Sequence, residues 1–192
     1  MNARIGLAAL IVLASACAMT AVGAAPSAVV TERIGHCALE HFPSGVQARF
    51  CATSVLGPQR DAAGRAATYG PEHLFDGNPA TAWCEGVPGP GSGQQIQIAF
   101  SRPQVVKAIT FINGYARSGV PMTRANSIRM LDAVWPDGTV SSIRIPDRRE
   151  PFTFMPNHAG AVAGFVLRIG QVNGSKWPDT CLTEVRLSLA AP

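Results

Sequence analysis

The chain has 192 residues, 16 Lys and Arg against 12 Asp and Glu, and a formal net charge of +4. The cations are scattered, the densest cluster being Arg144, Arg148 and Arg149, and no basic stripe interleaved with aromatics marks a nucleic-acid surface, so no nucleic-acid partner is expected. The length suits one domain and is enough to bury a real core.

Residues 1–25 carry one early cation, Arg4, then an uncharged run rich in Ala, Leu, Ile and Val that ends in Gly23, Ala24 and Ala25. That is the pattern of an export signal cleaved after small residues, weaker in hydrophobicity than a membrane anchor. The mature protein is therefore expected in the periplasm or secreted, with no transmembrane helix after signal removal. The alternative is "LASAC", which resembles a bacterial lipobox and would leave Cys17 lipidated and the protein anchored. Residues 26–49 show no clear period and read as an N-terminal arm ahead of a domain spanning 50–190.

Without Cys17, four cysteines remain: Cys37, Cys51, Cys84 and Cys181. An even count in an exported chain points to two disulfides. Of the three pairings, Cys37 with Cys51 and Cys84 with Cys181 is the expected one, since the first is local and the second would tie an early turn to the last strand. The rival is zinc, because "HCALEH" sets His36, Cys37 and His41 close together, but the spacing and the oxidising compartment are unlike those of a closed zinc site.

From Cys51 onward the chain reads as short strands between turns. "QQIQIAF" sets Ile96, Ile98 and Phe100 on one face and Gln95 and Gln97 on the other, the period of a half-buried strand. "VVKAITFIN", "SIRMLDAVW", "VSSIRI" and "GFVLRI" behave alike. In "LTEVRLSL", Val185, Leu187 and Leu189 are expected inside and Glu184, Arg186 and Ser188 outside. "WPDGTV" has the turn chemistry of a hairpin at Pro136-Asp137-Gly138. With no long helix and no internal repeat, the pattern is that of an all-β antiparallel sandwich or jelly roll, stapled by disulfides.

Signals of catalysis are weak. "GPGSG", residues 89–93, leads into a strand, whereas a phosphate-cradling loop leads into a helix N-terminus, so it reads as a wide turn. His36, His41, His73 and His158 have no serine elbow or paired acid beside them in the sequence. The spacing of Glu85 and Asp147 gives no support for a two-carboxylate hydrolase. No catalytic residue is assigned, and a binding module is expected rather than an enzyme.

"YGPEHLFDGNPATAWCEG", "IQIAF", "ITFINGY", "RANSIRMLDAVWPDG" and "DTCLTEVRL", in that order over about residues 50–189, resemble the discoidin, or factor V/VIII type C, class of galactose-binding-like jelly rolls. More narrowly they resemble the NADase-type glycan-binding domain within it. The enzymatic half of that name is not carried over, because no separate catalytic domain accompanies these motifs. In related jelly rolls the opening turn meets the last strand and often chelates a structural calcium. The resemblance thus implies that Asp76, Asn78, Thr81 and Glu184 hold calcium, a hard cation that takes six to eight oxygens. Thr183 stands where the family usually has Ser and keeps the hydroxyl. The competing reading is a plain Asx-turn, with Asp76 and Asn78 bonding their own backbone while Gly77 takes positive φ. Trp83 reads as core.

Two functions follow from different classes. The first is glycan binding at one end of the jelly roll, with Tyr115, Arg117, Asn126, Trp135, Lys176 and Trp177 as candidates: aromatics to stack on a sugar's apolar face, amide and cations to read hydroxyls. The second is a protein–protein docking adaptor in which the same loop end grips a protein partner through Trp and Arg anchors.

Overall fold

A computed structural model describes residues 36–60, 64, 66–117 and 125–192. The export signal and Cys17 lie outside the described residues. Among them run eleven strands: β1 (His36–His41), β2 (Gln47–Ala52), β3 (Gln59–Arg60), β4 (Ala66–Ala67), β5 (Trp83–Cys84), β6 (Gln95–Asn113), β7 (Ser127–Val134), β8 (Val140–Arg144), β9 (Phe152–Phe154), β10 (Val162–Asn173) and β11 (Cys181–Ala190). One 3-10 turn, Pro71–Leu74, precedes β5. No helix among the described residues is long and apolar enough to cross a membrane.

The 19-residue β6 belongs to both layers of an antiparallel sandwich. Its first part pairs with β2 and β10 in a sheet of order β1-β2-β6-β10-β7-β8, and its second part pairs with β11 and β9. The sequence shows how one strand does this. Ile96, Ile98, Phe100 and Val106 are buried in even phase, then Ile109, Phe111 and Asn113 in odd phase. The phase changes around Lys107, where the register with β11 also slips between Ser188 and Leu189; one extra residue in a ladder moves every later side chain to the other face. Both parts feed one core, in which Phe50, Trp83, Ile98, Phe111, Leu131, Leu167, Leu182 and Val185 are all buried.

Of the stretch read as an arm, residues 36–49 belong instead to the β1–β2 hairpin, which ends at Ala52. Val46, Ala48, Phe50 and Ala52 alternate into the core, and β2 pairs with β6 from Ala48 to Ala52. The small alanines hide that alternation from an apolar count, and β1 is an edge strand with little to bury.

Cys37 and Cys51 face each other across β1 and β2, and Cys84 and Cys181 across β5 and β11; both pairs are disulfide-bonded. Such bonds persist in oxidising compartments and fit an exported protein. The "WPDGTV" stretch is the β7–β8 hairpin turn: Asp137 Oδ1 accepts the Thr139 N–H at 2.9 Å, and Gly138 has φ +84°.

Candidate functional site

The opening turn follows the 3-10 turn, whose Leu74 is fully buried and anchors it. Asp76 Oδ1 accepts the Asn78 N–H at 2.8 Å, and Asn78 Oδ1 accepts the Ala80 N–H at 3.0 Å. The Thr81 hydroxyl, whose single proton has two acceptors in reach, donates to Asp76 Oδ2 at 2.7 Å and lies 2.9 Å from the Asn78 carbonyl. His73 Nδ1 is 2.9 Å from Asp76 Oδ2, and Gly77 takes φ +69°, as the turn requires. The turn's side-chain oxygens are thus hydrogen-bonded among themselves, in the Asx-turn pattern.

Glu184 departs from the outward position expected from alternation. It is 2 % exposed, because the first half of β11, Cys181 to Val185, is covered on both faces. Arg186 Nε sits 3.4 Å from its Oε1, while Oε2 is buried without a partner. Burial pushes the Glu184 carboxyl upward, Arg186 and the Gly77 N–H oppose this, and Asp76 adds to it. The 3-10 turn that leads into the opening turn packs against β11. A buried carboxylate oxygen with no donor fits a hard cation. The fit of the other three residues is partial, since their side chains already have partners, and among the described residues no three His, Cys, Asp or Glu side chains form a metal-holding group.

A second feature lies beside the turn. Tyr69, Tyr115, Ala82, Ala125 and the Cys84–Cys181 bridge form a small buried cluster against which Trp177 packs. The Tyr115 hydroxyl donates to the Ala80 carbonyl at 3.2 Å, tying the segment after β6 to the opening turn. Between them opens a cavity of about 260 Å³ lined by Thr68, His73, Thr81, Tyr115 and Arg117 together with alanines. Lys176 is exposed next to Trp177. Four of the six ligand candidates, Tyr115, Arg117, Lys176 and Trp177, therefore gather around one end.

The other two do different work. Asn126 is 4 % exposed; its Nδ2 donates to the Pro178 carbonyl at 2.6 Å and its Oδ1 accepts the Ser175 N–H at 2.7 Å. It shapes the 174–179 loop rather than facing a ligand. Trp135 lies beyond the far end of β7, buried between Phe165 (centroids 5.0 Å apart) and His158 (4.6 Å). It is separated from the Tyr115 cluster by the length of the strand, because the hairpin turn it adjoins points away from Asn126.

Two buried polar residues and one half-buried acid carry no assignment from the sequence. Glu85 is fully buried, its Oε1 accepting the Thr180 N–H at 3.0 Å and its Oε2 the Val87 N–H at 2.9 Å; the 89–93 turn wraps it. Asn113, 1 % exposed, continues the inward series of Ile109 and Phe111, and that shared phase was the signal that could have found it. Glu40 on β1 has a buried Oε2 without a partner, and its carboxyl is pushed up to about 7 by burial and by the negative charge of Glu184.

The model of the NAD glycohydrolase translocation F5/8 type C domain matches residues 42–188. The chain belongs to that family. Among solved structures, this F5/8 type C domain is similar to the arabinofuranosyltransferase AftD from Mycobacteria, at 19 % identity and a TM-score of 0.53 over 74 % of this chain. It spans only 11 % of that much longer enzyme. It is also similar to the family 32 carbohydrate-binding module from Streptococcus pneumoniae EndoD, at 11 % identity and a TM-score of 0.51, covering 72 % of this chain and 94 % of that one. At such identities the likeness is one of fold, the discoidin-like sandwich. No curated protein matches this chain in sequence.

Proposed function

We propose that this domain is an exported, non-catalytic binding module whose ligand is a glycan. The observation that carries the reading is the convergence of Tyr115, Arg117, His73, Thr68 and Thr81 on one open cavity, with Trp177 packed behind it. Sugar sites need a few polar groups beside an aromatic, and a guanidinium with hydroxyls and an imidazole supplies both donors and acceptors for sugar hydroxyls. The pneumococcal EndoD module, named as carbohydrate-binding, has the same fold. A structural calcium held by Glu184 and oxygens of the 76–81 turn would keep this end rigid; binding only the folded state, it would add about 2.7 kcal/mol at a hundredfold excess over its Kd.

The test is a glycan array probed with the mature domain and with Arg117→Ala. The wild type should bind a defined glycan class, and the variant should lose at least about tenfold in affinity, the equivalent of about 1.4 kcal/mol, with an unchanged melting temperature. Failure across all glycan classes, together with capture of one stoichiometric protein from envelope extract, would replace this reading with the docking adaptor.

A further inference from the structure

At the far end of β7 from the Tyr115 cluster lies a larger cavity that the glycan reading does not use. It measures about 670 Å³, within the range of roughly 300–1,000 Å³ typical of small-molecule sites. Two segments wall it: the β7–β8 hairpin supplies Asp137, Thr139, Val140 and Ser141, and the stretch ahead of β10 supplies Asn157 and His158. Trp135 joins the two. Its ring packs on Phe165 of β10, centroids 5.0 Å apart, and stacks with His158 at 4.6 Å and 17°, while its Nε1 donates to Ser141 Oγ at 3.1 Å. The imidazole therefore lines the cavity from a seat fixed on the core.

The polar groups of the wall are only partly committed. Asp137 uses Oδ1 for the hairpin turn, accepting the Thr139 N–H at 2.9 Å and the Thr139 hydroxyl at 2.7 Å. Its Oδ2 lies 3.5 Å from His158 Nε2 on a side chain that is 53 % exposed, which leaves room for a further donor. Ser141 accepts from Trp135 and keeps its own proton to give. The exposed Asn157 amide makes no hydrogen bond to the described residues, so two donors and an acceptor are open there. Val140, 50 % exposed, adds apolar surface.

That inventory selects a ligand class. Among the described residues no Lys or Arg lines the cavity, and the Asp137 carboxyl is held below its usual value, chiefly by the Thr139 bonds, so an anionic ligand would meet a negative charge. One carboxylate is too few for a hard cation, which takes six to eight oxygens. Val140 and Ala159 are too slight an apolar lining for the contiguous patch of a protein interface. A neutral polyhydroxylated molecule fits: neighbouring hydroxyls can donate to Asp137 Oδ2 and accept from Asn157 and Ser141, with a C–H face toward Val140.

We propose that the cavity beside Trp135 is a second binding site and that it takes a neutral sugar. It is separated from the Tyr115 cavity by the length of β7 and does not rest on the function proposed for that one. With both sites filled, one domain bridges two ligands from its opposite ends.

Amide NMR titration of the isotope-labelled mature protein tests it, with the methyl glycosides of glucose, galactose, mannose and N-acetylglucosamine as probes and the methyl glycoside of glucuronate as the charged control. At least one neutral glycoside should shift the Trp135 Nε1–H and Asn157 side-chain signals saturably, with a Kd on the order of 1 mM, as the efficiency of small ligands allows. Asn157→Ala should weaken this binding about tenfold, the scale of one or two lost hydrogen bonds, with an unchanged Tm, since that amide holds nothing in the fold. Asp137→Asn, which retains the Oδ1 acceptor of the turn, should weaken it by a similar factor, and the glucuronide should bind more weakly than the glucoside. Saturable shifts at Trp135 with none around Tyr115 support the second site and leave the first to the glycan array. Shifts confined to the Tyr115 end overturn the second site and leave the first standing. No saturable shift with any glycoside, an affinity unchanged in either variant, or a glucuronide that binds as tightly as the glucoside also overturns the proposal.

Discussion

Removing the amide of Asn113 should be among the most damaging single changes in this domain. Its Nδ2 donates to the carbonyls of Ile128 at 2.8 Å and Pro146 at 3.1 Å, and its Oδ1 accepts the N–H groups of Ile128 and Gly114, each at 2.9 Å. One side chain thereby satisfies four main-chain groups and joins the end of β6 to the start of β7. Asn113→Ala strands all four. The Pro146 carbonyl is half-buried and can recover water, but Ile128 and Gly114 are buried, and each unsatisfied group there costs about 1–3 kcal/mol. Allowing for partial relaxation, the loss should be about 3–5 kcal/mol, a large share of the 5–15 kcal/mol typical of a domain. Asn113→Asp keeps the acceptor and loses both donors, turning a carboxylate toward two carbonyls. Its folded pKa should therefore rise, so its stability is greatest below about 3.9, the unfolded value, and is lost as pH climbs through the folded value. Urea denaturation reads both effects as a shift in midpoint at constant slope. A loss below about 1 kcal/mol for Asn113→Ala would refute the idea that this amide, rather than the surrounding apolar packing, holds the two strands together.

Glu85 gives a pH signature. Burial, its largest influence, raises its carboxyl above the usual value of 4.5 despite the two N–H donors, so its contribution is full below that value and declines as pH rises through the higher folded pKa. Glu85→Gln should flatten that part of the pH–stability curve; a variant whose curve parallels wild type would remove Glu85 as its cause. Among the glycines, Gly138 and Gly91 separate backbone strain from crowding. Both have positive φ, but a Cβ at Gly138 meets open space, whereas at Gly91 it would lie 2.4 Å from the Glu85 side chain. Gly138→Ala should cost about 1 kcal/mol and Gly91→Ala about 2 or more, and equal losses in denaturant melts would contradict the crowding.

The sandwich was legible because its central strands are half-buried and alternate cleanly, as Ile96, Ile98 and Phe100 do. Alternation describes one covered face, and it misplaced Glu184 where β11 is covered on both. It also passed over β2, since Ala48 and Ala52 fill inward positions with little apolar signal. Trp135 illustrates the reverse limit: an aromatic at a hairpin turn carries no sequence mark of its stacking between Phe165 and His158 or of the cavity that it lines with Asp137 and Thr139. The Asx-turn of Asp76, Asn78 and Thr81 was legible because its chemistry is local. Glu40 was not, because burial is the main cause of its raised carboxyl, and a single sequence carries no mark of that burial on an edge strand.

The doubly shared β6 also governs when this protein can fold. Its neighbours come from before it in the chain, β2, and from well after it, β10 and β11, so the first layer waits for β10 and the second for the last ten-residue strand. The Cys84–Cys181 bond, spanning 97 residues, has the same schedule. Loop closures of this length make folding slow. For a chain that is exported, such a delay would keep the polypeptide threadable during passage and let the second disulfide form only once β11 arrives.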